Sequence, residues 1–149
     1  MCTTGKETAC PFCLIARGED PLAEVVCDGV AWVAFFPRDP ATPGHTLVIP
    51  RRHVPDVWSV EPAEGSALMA GVIRVGRAIR AALEPDGMNL ITSSGAAAEQ
   101  TVFHLHLHIV PRWSADGFGR IWPPERPMEK RVKEEVADRI REECRALDG

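Results

Sequence analysis

The chain has 149 residues, 45% of them apolar and 26% charged, with a net charge of −4. That length lets a single domain bury roughly 70% of its unfolded surface, so no disulfide staples are needed. The acidic balance excludes the broad basic face of a nucleic-acid binder, and no apolar run approaches the ~20 residues of a bilayer span. A small phosphorylated ligand in a local pocket remains compatible with this charge.

The opening stretch Met1 to Glu7 lacks the apolar core of a secretory signal. The five cysteines are odd in number, and only Cys10 and Cys13 stand in a recognisable spacing. Cys2, Cys27 and Cys144 read as free thiols of a reducing compartment. These features point to a cytoplasmic protein of one domain, residues 1–149, without repeats or low-complexity segments.

Residues 22–36 are rich in Val, Ala, Trp and Phe and predict two strands around a turn at Asp28-Gly29. Three prolines between Pro37 and Gly44 predict a loop. His45 to Pro50 predicts a short apolar strand. Residues 61–83 predict a helix, with Leu68, Val72, Val75, Ile79 and Leu83 on one face, Pro62 in the first turn and Pro85-Asp86-Gly87 as a stop. Residues 88–93 predict a strand and Ser94 to Gln100 a loop of small residues. A strand is predicted over 101–110. A second helix over about 127–147 places Val132, Val136, Ile140, Cys144 and Leu147 on one face. Five or so strands and two main helices, not strictly alternating, predict an α+β fold with an antiparallel sheet.

The most informative segment is Val102-Phe103-His104-Leu105-His106-Leu107-His108-Ile109-Val110. On a strand, its alternation puts His104, His106 and His108 on one face, roughly 6.6 Å apart, and Phe103, Leu105, Leu107 and Ile109 on the other, in the core. Three aligned imidazoles suit either a three-histidine zinc site with an open position for water or nucleophilic attack on phosphorus by a neutral ring. Cys10-Pro11-Phe12-Cys13 reads as half of a zinc site or a redox pair.

His104-Leu-His106-Leu-His108-Ile-Val resembles the signature of the histidine triad (HIT) family. Gln100-Thr101-Val102 before it and Pro111-Arg112 after it extend the likeness, as do Gly44 to His53, Asp116-Gly117-Phe118-Gly119 and Trp122. The resemblance spans roughly residues 10–122 and implies a HIT-like fold followed by the C-terminal helix. It implies that His106 becomes nucleotidylated, that His108 positions the phosphate, and that His45 stands beside them. Asn89, Ser93, Gln100 and Thr101 match positions on the substrate side. In the zinc-containing bacterial branch the Cys-x-x-Cys pair is completed by residues matching His53 and His104. The resemblance thus implies a structural zinc on Cys10, Cys13, His53 and His104, a homodimer, and a small nucleotide as substrate.

Three departures fall on the substrate side. The place of the family's ribose-binding Asp is Pro37, with Asp39 close by. An Asn that contacts phosphate is replaced by Ser93, and the Gly before Gln100 is Glu99. The expected function is hydrolysis of a nucleoside phosphoramidate, a dinucleoside polyphosphate or a similar conjugate through a nucleotidyl-histidine, releasing a nucleoside monophosphate. The alternatives are nucleotidyl transfer by the same route and a non-enzymatic, zinc-containing nucleotide-binding module.

Overall fold

Alternating apolar residues and proline-capped segments yield five strands and three helices in a computed structural model that describes residues 10–148. Helix α1 is Pro11–Ala16, and strands β1 (Val25–Asp28) and β2 (Trp32–Phe35) follow it. Strand β3 is Thr46–Pro50, helix α2 is Pro62–Leu83 and strand β4 is Gly87–Ile91. A 3-10 turn at Ala96–Ala98 precedes strand β5, Leu107–Arg112, and helix α3 is Lys130–Leu147. The Cys2 thiol lies outside the described residues.

All strand pairs are antiparallel, in the order β1-β2-β3-β5-β4. The sheet has a core on each face because β2 and β3 alternate apolar residues to both sides. Trp32, Ala34 and Val48 face α2, where they meet Leu68, Val72, Val75 and Ile79. Val33, Phe35, Leu47 and Ile49 face the other way, against Ile15 and Ala16 of α1. The fold is therefore α+β, as the pattern of elements predicts.

Four of the five apolar residues expected on the buried face of α2 are buried, while Leu83, in its last turn, is 40% exposed. Pro62 opens the helix, where its missing N–H costs nothing. The strand expected over 101–110 begins only at Leu107, so His104, at the end of a bend over 102–104, and His106 both precede β5. Phe103, expected in the core with Leu105 and Ile109, is instead 52% exposed. Ahead of the ladder the chain is not bound to strict alternation, and Phe103 turns outward. The second helix starts three residues later than expected, at Lys130.

The chain divides into two compact units, the first ending at Phe118 and the second beginning at Gly119. In the second unit no residue of α3 is buried, and Val136, Ile140 and Leu147 are exposed along its apolar face. In the first unit, Gly71 of α2 lies directly against Trp32 of the sheet. A Cβ there would come within 2.5 Å of the Trp32 ring. Gly71→Ala is expected to push Trp32 off its position and lower unfolding free energy by about 1–3 kcal/mol, read from denaturant titration.

Candidate active site and metal-ligand cluster

His108 is placed by the register of β5. It pairs with Leu47 on one side and with Ile91 on the other. Cross-strand partners project to one face, and Leu47 and His108 both line a cavity of about 750 Å³ on the face opposite α2. Phe12, Ile15 and Phe35 form the apolar part of its wall; His106, His108 and Thr101 form a polar part; Pro37, Arg38 and Asp39 also border it. A volume of this size suits a small organic ligand held by apolar contacts and a few polar groups.

His106 is 6% exposed and held at three points. Its Nδ1–H donates to the His104 carbonyl at 2.7 Å, its own carbonyl accepts from the Thr92 hydroxyl at 2.9 Å, and the Phe12 ring stands edge-on to it. A carbonyl can only accept, so Nδ1 carries the proton and Nε2 keeps its lone pair. Among the described residues Nε2 has no hydrogen-bond partner, and no side-chain polar atom sealed from solvent lacks one. Nε2 is therefore open to the cavity.

The same logic fixes the other two rings. The Ala41 N–H donates to His45 Nδ1 at 3.0 Å. Nε2 of His45 then bears the proton and donates to His108 Nδ1 at 2.9 Å. That leaves His108 protonated at Nε2. The pair presents one nucleophilic nitrogen, on His106, beside one N–H donor, on His108, with ring centroids 5.0 Å apart. This spacing is shorter than a regular strand would give, because His106 precedes the ladder.

Burial favours the neutral rings. It lowers the His45 and His106 pKa values. His108 is pushed down to about 4, by burial first and then by repulsion from His106 and His45. The rings are neutral at pH 7, as the tautomer assignments require.

The first triad histidine turns to a different task. His104 is fully buried, and its Nε2–H donates to the Pro50 carbonyl at 2.9 Å. Its Nδ1 lies 3.5 Å from both Cys10 Sγ and Cys13 Sγ, and His53 Nδ1 lies 3.3 Å from Cys13 Sγ. The ligand atoms of Cys10, Cys13, His53 and His104 all lie within 4.8 Å of one another. Four ligands at 2.0–2.3 Å from a tetrahedral ion are separated by about 3.3–3.8 Å, so the cluster is positioned to bind a metal. The hydrogen bond to Pro50 orients His104 in the way outer partners orient metal-ligating imidazoles. Arg51 anchors the same region, donating to the Ala16 carbonyl at the end of α1 and to the Gly29 carbonyl.

The substrate-side expectations divide. Thr101 borders the cavity, but Asn89, Ser93 and Gln100 do not. The Asn89 Oδ1 accepts from Arg112, on the strand pair β4–β5. Gln100 is 4% exposed and clamps its own loop. Its Oε1 accepts from the Gly95 N–H, and its Nε2 donates to the Pro55 and Val102 carbonyls. The Gly95 N–H is thereby committed to the Gln100 side chain. Sequence reading missed the apolar wall and α1 itself. Pro11 at its first turn was the available signal.

The HIT domain profile matches residues 19–115, and the chain belongs to the HIT family. It is 40% identical over 114 residues to the protein hit of Bacillus subtilis, covering 76% of this chain and 78% of that one. It is 36% identical over 107 residues to the adenylylsulfatase HINT3 of Arabidopsis thaliana, covering 72% of this chain and 54% of that one. Among solved structures, a HIT family protein from Bacillus anthracis superposes with a TM-score of 0.81 at 33% identity, covering 90% and 96% of the two chains. A Zn-bound histidine triad family protein from Mycobacterium smegmatis gives 0.71 at 37% identity, covering 80% and 86%.

An unfolded histidine titrates near 6.5, whereas His108 in the folded chain titrates at about 4. Between those values the unfolded chain binds more protons. The contribution is therefore intact above about pH 6.5 and lost progressively as pH falls towards 4. Asp116, held well below the ordinary carboxylate range by the hydrogen bond from Arg112, acts only at lower pH. Burial lowers the His45, His104 and His106 values as well, so His108→Asn is expected to lessen the loss of urea stability between pH 7 and pH 4.5 without abolishing it, measured at both ends in parallel with the parent.

Proposed function

We propose that this chain is a nucleotide-conjugate hydrolase in which His106 Nε2 attacks the α-phosphorus. One observation carries the reading: a main-chain carbonyl fixes the Nδ1–H tautomer of a neutral imidazole whose other nitrogen is open to a cavity, beside a second imidazole whose tautomer makes it a donor. Nucleotide-hydrolase chemistry is represented in the family by the adenylylsulfatase relative.

The substrate lies with its nucleoside against Phe12, Ile15, Phe35 and Leu47 and its α-phosphate at the imidazole end. The His106 lone pair forms the N–P bond as the bond from phosphorus to the leaving group breaks, and the leaving group departs with the electron pair and takes a proton from the medium where its basicity calls for one. The His108 Nε2–H faces the charge that builds on the phosphoryl oxygens, where a fixed donor lowers the barrier. The nucleotidylated His106 ring is cationic. Its Nδ1–H still points at the His104 carbonyl, which favours the charged ring. Water then attacks phosphorus, giving its hydroxyl to the nucleotide and its proton to the medium, and frees the ring.

We assign a structural zinc to the four-ligand cluster. Two thiolates and two imidazoles are a zinc donor set, and a zinc ion there fixes His104 and the start of α1. A tetrahedral shell filled by four protein ligands leaves no position for a reactive water, which argues against metal-activated hydrolysis.

A homodimer is proposed through the α2–β4 face. β4 is an edge strand, and Ile73 and Leu90 are 47% and 51% exposed along one groove with Val72 and Met88. A long apolar edge of this kind calls for a cover. Ile73→Glu combined with Leu90→Glu is expected to convert a dimer to a monomer in sedimentation velocity.

The deciding experiment supplies adenosine phosphoramidate, adenylyl sulfate and a diadenosine polyphosphate to the parent and to His106→Gly. The parent is expected to release AMP and to gain the mass of one adenylyl group transiently. His106→Gly is expected to do neither, a loss of about 10⁴-fold or more, with metal content unchanged. Full activity in the variant would overturn the nucleophile, and nucleotide binding without turnover in both would leave a binding module.

A further inference from the structure

Phe12 stands between Cys10 and Cys13, and its ring touches both ends of the site. It meets His106 at a centroid distance of 5.2 Å and an interplanar angle of 85°, and His104 at 6.0 Å and 71°. Behind it lies Phe35, at 5.3 Å and 69°. All three are edge-to-face contacts of the kind aromatic pairs favour. One phenyl ring therefore rests on a residue of the metal-ligand cluster and on the proposed nucleophile. It is carried by the first turn of α1, which has Cys10 at its N-cap and contains Cys13.

The need for such a contact follows from the hydrogen bonding of His106. Among the described residues the ring is tied at one atom only, Nδ1. The torsion that turns an imidazole about its Cβ–Cγ bond is broad, so one hydrogen bond leaves the ring free to rock. Displacement at phosphorus demands more: the attacking atom must sit about 3–3.5 Å from its target with its lone pair aligned. Thr92 holds the His106 main chain but not its ring. Among the described residues, the close ring neighbours of His106 are Phe12 and His108, and His108 has its Nδ1 tied to His45.

We propose that Phe12 is a positioning residue for His106, fixing the imidazole plane so that Nε2 faces the α-phosphorus. The inference rests on the hydrolase reading and deepens it. Its consequence is that the Cys-x-x-Cys turn, through the residue it encloses, sets the aim of the nucleophile as well as the metal-ligand geometry.

Phe12 also borders the cavity, so a direct contact with substrate is the competing role. The two roles separate in Phe12→Leu and Phe12→Tyr. A substrate contact alone raises KM. A positioning role lowers kcat as well, roughly tenfold to a hundredfold, and it is visible without substrate. In ¹⁵N-labelled apo-nucleotide protein at fixed pH, the parent His106 is expected to show the pure Nδ1–H tautomer. Phe12→Leu is expected to show averaging of the two ring nitrogens, and Phe12→Tyr, which keeps the ring, is expected to restore both kcat and the spectrum. Metal content is measured in each variant, and should Phe12→Leu lose metal, Phe12→Met takes its place with the same readings. An unchanged His106 spectrum in the ring-less variant, or a rise in KM alone, overturns the proposal. If the parent hydrolyses no nucleotide conjugate, the hydrolase reading fails, while the His106 spectrum still decides whether Phe12 orders that ring.

Discussion

The site depends on His104, which acts through two different groups. Its ring faces two thiols and another imidazole, with Nε2–H anchored on Pro50. Its carbonyl accepts the Nδ1–H of His106. The first contact ties the chain before β5 to α1 and to the end of β3; the second selects the tautomer of the proposed nucleophile. A two-residue step along an extended chain connects a closed ligand cluster to an open, neutral nitrogen. A metal held there would order the proposed nucleophile through the peptide backbone without approaching it.

The sheet makes this arrangement possible by being buried on both faces yet covered unequally. On one face α2 packs along β2, β3 and β5, and Gly71 lets it come down onto Trp32. On the other, the six residues of α1 are too short to cover the sheet. Ile15 and Ala16 bury part of it, and the remainder of that face, with Leu47 and His108 side by side in register, becomes the cavity. A longer helix there would have closed the site. The tie from Arg51 to the Ala16 carbonyl keeps the short helix in place where its apolar area alone is small.

Much of this was legible in the chain, for reasons that differ by element. The face of α2 was readable because four buried side chains recur at helical spacing within a helix of 22 residues. The histidines were readable because period two is the simplest pattern a sequence carries. The same pattern misled at Phe103, where no ladder partner enforces alternation. Helix α1 escaped because six residues hold too little periodicity to register. Asn89 and Gln100 were matched to the substrate side by position alone, and position says nothing about rotamer. One amide turns to Arg112 and the other into the loop it braces. Those partners are distant in sequence or local in three dimensions, and neither leaves a spacing to read.

The loop before the triad shows how the substituted positions are accommodated. Glu99 occupies the left-handed region at φ 63, a conformation that glycine takes freely and that costs another L-residue roughly 1–2 kcal/mol. The loop is nevertheless closed on itself: Glu99 N–H bonds to Ala96, Gln100 N–H to Gly95, and the Gln100 side chain returns to the Gly95 N–H. The buried Gln100 clamp thus holds a backbone shape that Glu99 by itself disfavours. At the other border of the cavity Pro37 offers no side-chain acceptor, while Asp39 borders the same space with a carboxylate. The imidazoles and the metal-ligand cluster are untouched by either change. The geometry around His106 is therefore fixed by buried contacts, while the two substituted positions, half-buried Pro37 and exposed Glu99, lie outside those contacts.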